Sequence, residues 1–163
     1  MKKPLYTILL IFFTAACVPS FAHSQDNKVF ETEYSAIYYT TDAELSDFLW
    51  RVGGYKMVNS VYAFSAQNRI DRIIEQVEKL LDMHPERFRL TIYLKSGYKE
   101  GDIASYSEES KAITVYVDRI TDGVLAHEVG HAVICSYFEV PPPRKVQEIL
   151  CQYVDSHLWE EYQ

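Results

Sequence analysis

The chain has 163 residues, of which 48% are hydrophobic. This length and composition suit one globular core, and the chain is too short for two. The formal net charge is −7 at pH 7, and such an acidic balance argues against nucleic acid or an anionic membrane surface as a partner. We therefore expect a single domain at residues 23–163, preceded by a leader.

The N-terminal stretch has the composition of a secretory leader. Lys2 and Lys3 give it a positive start, and an apolar run follows at Leu5–Phe13. Ser20–Ala22 then supplies a small-x-small ending, and the apolar run is too short to cross a bilayer as a permanent helix. We predict a signal peptide at residues 1–22, cleaved after Ala22, so that the mature domain is periplasmic or secreted.

A lipoprotein leader is the alternative interpretation of the same stretch. Thr14–Ala16 places small residues directly before Cys17, the residue that such a leader would lipidate. The leucine that usually stands three places before that cysteine is missing, so we favour ordinary cleavage. Association with a membrane is expected only if Cys17 is lipidated.

The next part of the chain predicts a strand and two helices. Tyrosine and isoleucine are enriched at residues 30–41, which predicts a first strand. Thr41 supplies helix-start chemistry for a short helix that ends at Gly53. From Ser65 to Met83, apolar residues recur at three- and four-residue spacing, which predicts an amphipathic helix packed on a sheet.

The C-terminal half predicts further strands and then two helices. Strands are expected at residues 87–95, 104–106 and 112–117. Thr121 and Asp122 supply N-cap chemistry for a helix that runs to about Tyr137. Pro141–Pro143 cannot continue that helix, but the last proline can open another, which we place at residues 144–160.

One motif in the first of these two helices carries chemistry. His127 and His131 stand four residues apart, so on a helix both imidazoles leave the same face and can hold one Zn²⁺ ion. Glu128 lies about 100° round the helix, where it can take a proton from water at the metal without binding the ion itself. The motif predicts metal-assisted hydrolysis with Glu128 as general base. The alternative is an ordinary amphipathic helix with two surface histidines.

A catalytic zinc ion needs a third protein ligand besides an open position for water. Glu148 is our first choice, because it stands on the next helix, seventeen residues after His131, and the proline turn would fold that helix back. Glu139, which falls in the turn, is the second choice. Asp155 shares a helix face with Glu148, and its carboxylate would accept the free N–H of a histidine ligand. The alternative is that Glu148 and Asp155 are solvated carboxylates.

Cys135 and Cys151 remain after removal of the leader, and an oxidising compartment permits a disulfide between them. Each stands about one turn after a proposed ligand on its own helix, so a bridge would pin the two helices together. Such a bridge would contribute about 3 kcal/mol in the chain-entropy model. We favour this disulfide; two buried free thiols and a thiolate bound to the metal are the alternatives.

The order of these elements and motifs resembles the catalytic core of the zincin metallopeptidases, in particular a compact gluzincin. The resemblance begins at the strand at residues 87–95, and the helix from Ser65 to Met83 fits the family's backing helix loosely. It implies an α+β fold with a small mixed sheet backed by a helix, followed by an active-site helix and a glutamate-bearing helix. The family's zinc ligands would be His127, His131 and Glu148, its general base Glu128, and its substrate-aligning edge strand Ala104, Ser105 and Tyr106.

Two features depart from the family pattern. The spacing from His131 to Glu148 is short, and no tyrosine or histidine is marked by a motif as the residue that stabilises the oxyanion. Tyr137 and Tyr153 have side chains of the right type to stabilise the oxyanion, yet helical geometry aims Tyr153 away from the Glu148 face.

The sequence therefore predicts a secreted or periplasmic zinc peptidase with one Zn²⁺, an endopeptidase being favoured over an exopeptidase. Its partner would be a peptide or protein substrate that lies along residues 104–106 by strand addition. One alternative is a zinc-bound domain that binds a peptide or protein without cleaving it, and another is a structural domain without metal. Residues 23–40 could also fold over the cleft as an inhibitory segment.

Overall fold

The computed structural model describes residues 27–53, 60–97 and 100–159, with side chains from residue 64 onward in the second range. Its strands are β1 (Lys28–Glu31), β2 (Ser35–Tyr39), β3 (Leu90–Lys95), β4 (Ala104–Ser107) and β5 (Ala112–Tyr116). Its helices are α1 (Asp42–Gly53), α2 (Ser60–Leu81), α3 (Asp122–Tyr137) and α4 (Arg144–His157), with a 3-10 turn at Val117–Arg119. The predicted signal peptide at residues 1–22, with Cys17, lies outside the described residues.

The strands of these ranges form one mixed, five-stranded sheet in the order β1-β2-β3-β5-β4. β2, β3 and β5 are parallel, while β1 and β4 run antiparallel to their neighbours. β4 is therefore an edge strand, and no strand within the described ranges pairs with its outer side. The alternation predicted for β3 is confirmed, since Leu90, Ile92 and Leu94 are buried and the residues between them are more exposed.

The helices share one hydrophobic core with the sheet. Each of the four helices contributes buried side chains to the same cluster as Ile37, Ile92 and Ile113 of the strands. Helix α2 contributes Ile70, Ile73, Ile74 and Val77, at the spacing that predicted its apolar face. The mixed α+β class is thus confirmed, with a mixed sheet and four helices in the described residues.

The predicted strand at residues 30–41 is in fact a hairpin of two strands. A turn separates β1 from β2, with Thr32 N–H donating to the Ser35 carbonyl at 2.8 Å. Asp71 of α2 accepts the backbone N–H groups of Glu33 and Tyr34, each at 3.2 Å. This carboxylate comes from far along the chain, so no local pattern indicates the turn that it fixes.

The β1–β2 hairpin lies at the edge of the sheet opposite β4. The described part of the segment 23–40 is therefore built into the sheet and does not cover the β4 edge. Residues 23–26 of that segment are outside the described ranges. An inhibitory role is accordingly not supported for residues 27–40.

Helix α2 begins five residues before the predicted Ser65 and ends just before Asp82. Asp82 adopts a left-handed backbone conformation with φ 51°, and Met83 N–H donates to the Glu78 carbonyl at 3.0 Å. This pattern is a Schellman ending, which closes the last turn of the helix. None of the helices in the described ranges combines the length and apolar character that a membrane crossing requires.

Helix α1 begins with a capping box. Thr41 Oγ1 accepts the Glu44 N–H at 3.3 Å, and Glu44 Oε2 accepts the Thr41 N–H at 3.1 Å. The same oxygen accepts the Thr40 N–H at 2.7 Å, while Oε1 accepts the N–H and hydroxyl of Ser96 at 3.1 and 2.6 Å. Burial alone would raise the pKa of Glu44, but these hydrogen bonds together lower it below its usual value. Glu44 thus joins the start of α1 to the end of β3.

Replacing Glu44 with glutamine should lower the free energy of unfolding by about 1–3 kcal/mol at neutral pH, because an amide cannot accept from all these donors. The folded-state pKa is lowered, so the carboxylate's contribution is complete above its unfolded pKa of about 4.3 and is lost as pH falls through the folded-state pKa. Urea unfolding should therefore show a gap between wild type and Glu44→Gln that narrows under acidic conditions.

The matched control for this experiment is Glu109→Gln, which removes an exposed carboxylate. It should leave the free energy of unfolding unchanged at neutral pH. A gap between wild type and Glu44→Gln that stays constant from neutral to acidic pH would contradict the role assigned to Glu44.

Candidate metal centre

Helix α3 carries the two histidines, and its first turn is anchored on both sides. The Thr121 hydroxyl caps the helix by accepting a backbone N–H at 3.3 Å, as the sequence predicted. Asp122 pairs with Arg69 of α2 at 2.8 Å. His127 and His131 leave the same helix face, with ring centroids 5.1 Å apart. The His131 side chain is fully buried and that of His127 is partly exposed.

Gln147 of α4 determines which nitrogen of His131 carries the proton. Gln147 Nε2 donates to the Pro142 carbonyl at 2.9 Å and to Glu108 at 3.3 Å, so the amide oxygen is the atom that faces His131. That oxygen lies 3.1 Å from His131 Nδ1, which therefore holds the proton and donates it. Burial lowers the pKa of His131 and favours the neutral ring. A neutral ring has one N–H, so His131 Nε2 keeps a free lone pair.

This lone pair of His131 Nε2 is buried and has no hydrogen-bond partner among the described residues. Glu148 Oε1 lies 3.4 Å from it, and Glu148 Oε2 lies 3.3 Å from His127 Nε2. A buried lone pair that faces a carboxylate is unfavourable unless a cation lies between them. Two ligands bound at about 2.1 Å to a tetrahedral zinc ion are roughly 3.4 Å apart, so this spacing suits a metal ion.

Cys151 of α4 brings a sulfur atom to the same place. Its ligand atom and those of His127 and His131 all lie within 4.8 Å of one another. Gly130 makes room for the thiol, because a Cβ at that position would lie 2.9 Å from the sulfur. Burial, followed by the charges of neighbouring glutamates, raises the pKa of Cys151 to about 12. The His127–His131–Cys151 cluster could hold a metal ion, and imidazole, thiolate and carboxylate are all ligands that zinc accepts.

The predicted disulfide between Cys135 and Cys151 is not formed, and both thiols are free. Cys135 Sγ lies 3.7 Å from Gln147 Oε1, whereas Cys151 Sγ lies against Gly130, more than one turn earlier on α3. The two helices pack antiparallel, so the two cysteines face different partners. Spacing along each helix could not indicate this, because it does not show which residues lie opposite each other.

Glu128 is held by the edge strand beside the histidines. Its side chain is buried, and Oε2 accepts the Tyr106 N–H of β4 at 2.7 Å. Burial raises the pKa of Glu128, while the Tyr106 hydrogen bond and the charges of His127 and Arg144 limit the rise. With Oε2 fixed in this way, Oε1 is the oxygen that can act on a water molecule.

The Tyr106 N–H belongs to the outer edge of β4. Tyr116 N–H donates to the Ile103 carbonyl at 2.9 Å, and hydrogen-bonded pairs alternate along an antiparallel ladder. The backbone groups of Ser105 consequently face β5, whereas those of Ala104 and Tyr106 face outward. The predicted edge strand is therefore present as β4, but Ser105 does not present its backbone to a partner.

Arg144, in the first turn of α4, adds a cation to the centre. Its Nε donates to Glu148 Oε1 at 2.8 Å, and its side chain is about half exposed. Burial would raise the pKa of Glu148, but the Arg144 hydrogen bond and the charges of His131, Arg144 and His127 together lower it. Glu148 is thus a carboxylate at neutral pH whose direction is set by Arg144.

Asp155 does not take the predicted position beside a histidine ligand. It is exposed, and its carboxylate lies against Gly123 in the first turn of α3, where it fills the space that a Cβ would need. Two helical turns separate it from Glu148, a distance of about 10 Å along α4. His131 is oriented by Gln147 instead. Glu139, the second choice as a ligand, is exposed in the connection between α3 and α4.

Sequence reasoning missed two residues of this centre, Gln147 and Arg144. The signal for both was their helical spacing, since Arg144 stands four residues before Glu148 and Gln147 stands four residues before Cys151. Each therefore shares a helix face with a candidate ligand. The motif does not contain them, because it covers α3 alone.

Comparison of the chain with models of known protein families, with curated proteins and with solved structures found no match.

Proposed function

We propose that this chain is a zinc-dependent peptidase with a zincin-like core, which acts in the periplasm or outside the cell. The observation that carries the proposal is the buried lone pair of His131 Nε2, which faces Glu148 and has no donor among the described residues. The fold supports it, because helix α3 directly follows the sheet and lies beside an antiparallel edge strand.

His127, His131 and Glu148 would hold the ion. A bound zinc ion supplies Lewis-acid chemistry, since it acidifies water and polarises the carbonyl group of a peptide. Gln147 keeps the proton of His131 on Nδ1, and Arg144 keeps the Glu148 carboxylate directed at the two imidazoles. These hydrogen bonds would thus orient the ligand atoms of His131 and Glu148 before a metal ion binds.

Glu128 performs the proton transfers in this mechanism. Its Oε1 takes a proton from the attacking water, and the same carboxyl group then gives that proton to the departing amine. The Tyr106 N–H stays on Oε2 and keeps the carboxylate from turning away. Because this donor belongs to β4, it holds the general base at a fixed position relative to the substrate-binding edge.

The substrate would be an extended polypeptide that adds to the outer edge of β4. Strand addition uses the outward backbone groups, which belong to Ala104 and Tyr106. The Tyr106 N–H already serves Glu128, so the Ala104 groups and the Tyr106 carbonyl remain for the substrate. An open edge accepts the interior of a chain as readily as its end, and we therefore favour an endopeptidase.

The alternative is a zinc-bound domain that binds a peptide or protein without cleaving it. It is favoured by one observation, the presence of Cys151 within 4.8 Å of both histidine ligand atoms. A fourth protein ligand there would take the position that a catalytic water needs.

The function is tested by metal analysis and a peptide-library cleavage assay on the purified protein. We expect one zinc ion per chain, cleavage of internal peptide bonds, loss of cleavage with a chelator and recovery when zinc is restored. Cleavage that continues in protein shown to be metal-free would refute a metallopeptidase. If the protein binds zinc but cleaves no peptide, and if the Cys151→Ser variant also binds zinc without cleavage, the binding domain is supported instead.

A further inference from the structure

Cys151 lies on α4, the helix that also carries Glu148, and its ligand atom lies close to those of the two histidines. Helix α4 places Cys151 three residues after Glu148, so both side chains point towards α3. Glu148 is partly exposed, whereas Cys151 is fully buried. The candidate centre therefore has potential ligand atoms from both helices, and α4 contributes one exposed and one buried side chain.

The unpartnered His131 Nε2 independently indicates that a ligand binds at the candidate centre. It is a fully buried nitrogen with no hydrogen-bond partner among the described residues, and the ligand atoms of His127, His131 and Cys151 all lie within 4.8 Å of one another. Gly130 is the residue that allows this approach, since any side chain there would press on the sulfur. The packing of α3 on α4 thus keeps the thiol at the centre.

We propose that the Cys151 thiolate is the fourth protein ligand of the zinc ion in the resting protein, so that the centre is closed to water. This inference rests on the proposed metal site and adds its regulation. Structural zinc sites have four protein ligands, whereas catalytic sites keep one position open. On binding, the Cys151 thiol loses its proton to solvent and its sulfur forms the bond to zinc, without any change of oxidation state.

Closure by Cys151 makes the protein a latent enzyme. The sulfur and the water that Glu128 would activate compete for one position, so hydrolysis requires the sulfur to leave. If the open form is about a tenth of the population, removing the sulfur raises activity roughly tenfold. Serine and alanine at position 151 remove the thiolate and leave His127, His131 and Glu148 in place.

Cobalt substitution tests the ligand directly. Wild type loaded with one Co²⁺ per chain should show the intense near-ultraviolet band of thiolate-to-cobalt charge transfer. Cys151→Ser and Cys151→Ala should bind one Co²⁺ per chain without this band. Cys135→Ser is the matched control, because it removes a thiol that faces Gln147, and it should keep the band.

A measurement on unaltered protein keeps the test independent of how the variants fold. X-ray absorption of the zinc-loaded wild type should show one sulfur neighbour at about 2.3 Å besides nitrogen and oxygen. A first shell of nitrogen and oxygen alone, or a charge-transfer band that persists in Cys151→Ser, would overturn the inference and leave the proposed peptidase site standing. Protein that binds no metal at all would instead remove the proposed function on which the inference rests.

Discussion

Replacement of Glu128 by glutamine is expected to lower kcat/KM for peptide cleavage by roughly 10²–10⁴-fold, the usual contribution of a general base. Glutamine has the same shape, and its amide oxygen can still accept the Tyr106 N–H that now reaches Glu128 Oε2 at 2.7 Å. The amide cannot take a proton from water, so general-base catalysis is lost while the packing is kept. Zinc content should stay at one ion per chain, because Glu128 is not a ligand.

The control for this variant is Glu109→Gln, which removes an exposed carboxylate from the turn between β4 and β5 and should leave kcat/KM unchanged. Each substitution should be introduced into both the wild-type and the Cys151→Ser protein, so that closure of the centre by the Cys151 thiolate does not hide the loss of kcat/KM. Cleavage by Glu128→Gln at the wild-type rate, with zinc bound, would mean that Glu128 is not the base.

Local patterns were sufficient for most of the fold. The three- and four-residue periodicity of α2, the alternation in β3 and the Thr121 cap of α3 each depend on neighbours in sequence, and each is confirmed. The β1–β2 turn depends on Asp71, which is contributed by a distant helix, so the hairpin was predicted as one strand. Long-range hydrogen bonds of this kind leave no periodic signal at the place where they act.

The same distinction applies to the candidate centre. His127, Glu128 and His131 follow from spacing within one helix, and Glu148 follows from the proline turn that folds α4 back. The partners of these groups depend on how α3 and α4 pack side by side. Asp155 was expected beside a histidine and lies by Gly123, while Gln147 holds the expected position. Gln147 and Asp155 are about two helical turns apart on α4. Spacing along α4 alone does not show which of them lies opposite His131.

Replacement of Gln147 by leucine should weaken zinc binding by about 10–100-fold, the usual effect of losing the hydrogen-bond partner of a metal-bound histidine. Gln147 Oε1 now holds the proton of His131 on Nδ1 and so leaves the Nε2 lone pair to the ion. Leucine removes this acceptor, and a buried ring that is free to rotate or change tautomer presents the lone pair to zinc for only part of the time. Competition with a chromogenic chelator measures the affinity.

Glutamate at position 147 separates this positioning role from simple packing. Gln147→Glu keeps an acceptor for the His131 Nδ1 proton and should bind zinc close to the wild-type affinity. It loses the amide donor to the Pro142 carbonyl and places a second carboxylate beside Glu108, so its free energy of unfolding should fall. Tight zinc binding with lower stability is the expected combination. If the leucine and glutamate variants lost zinc equally, Gln147 would only fill space between the helices, and the free lone pair of His131 would need another cause.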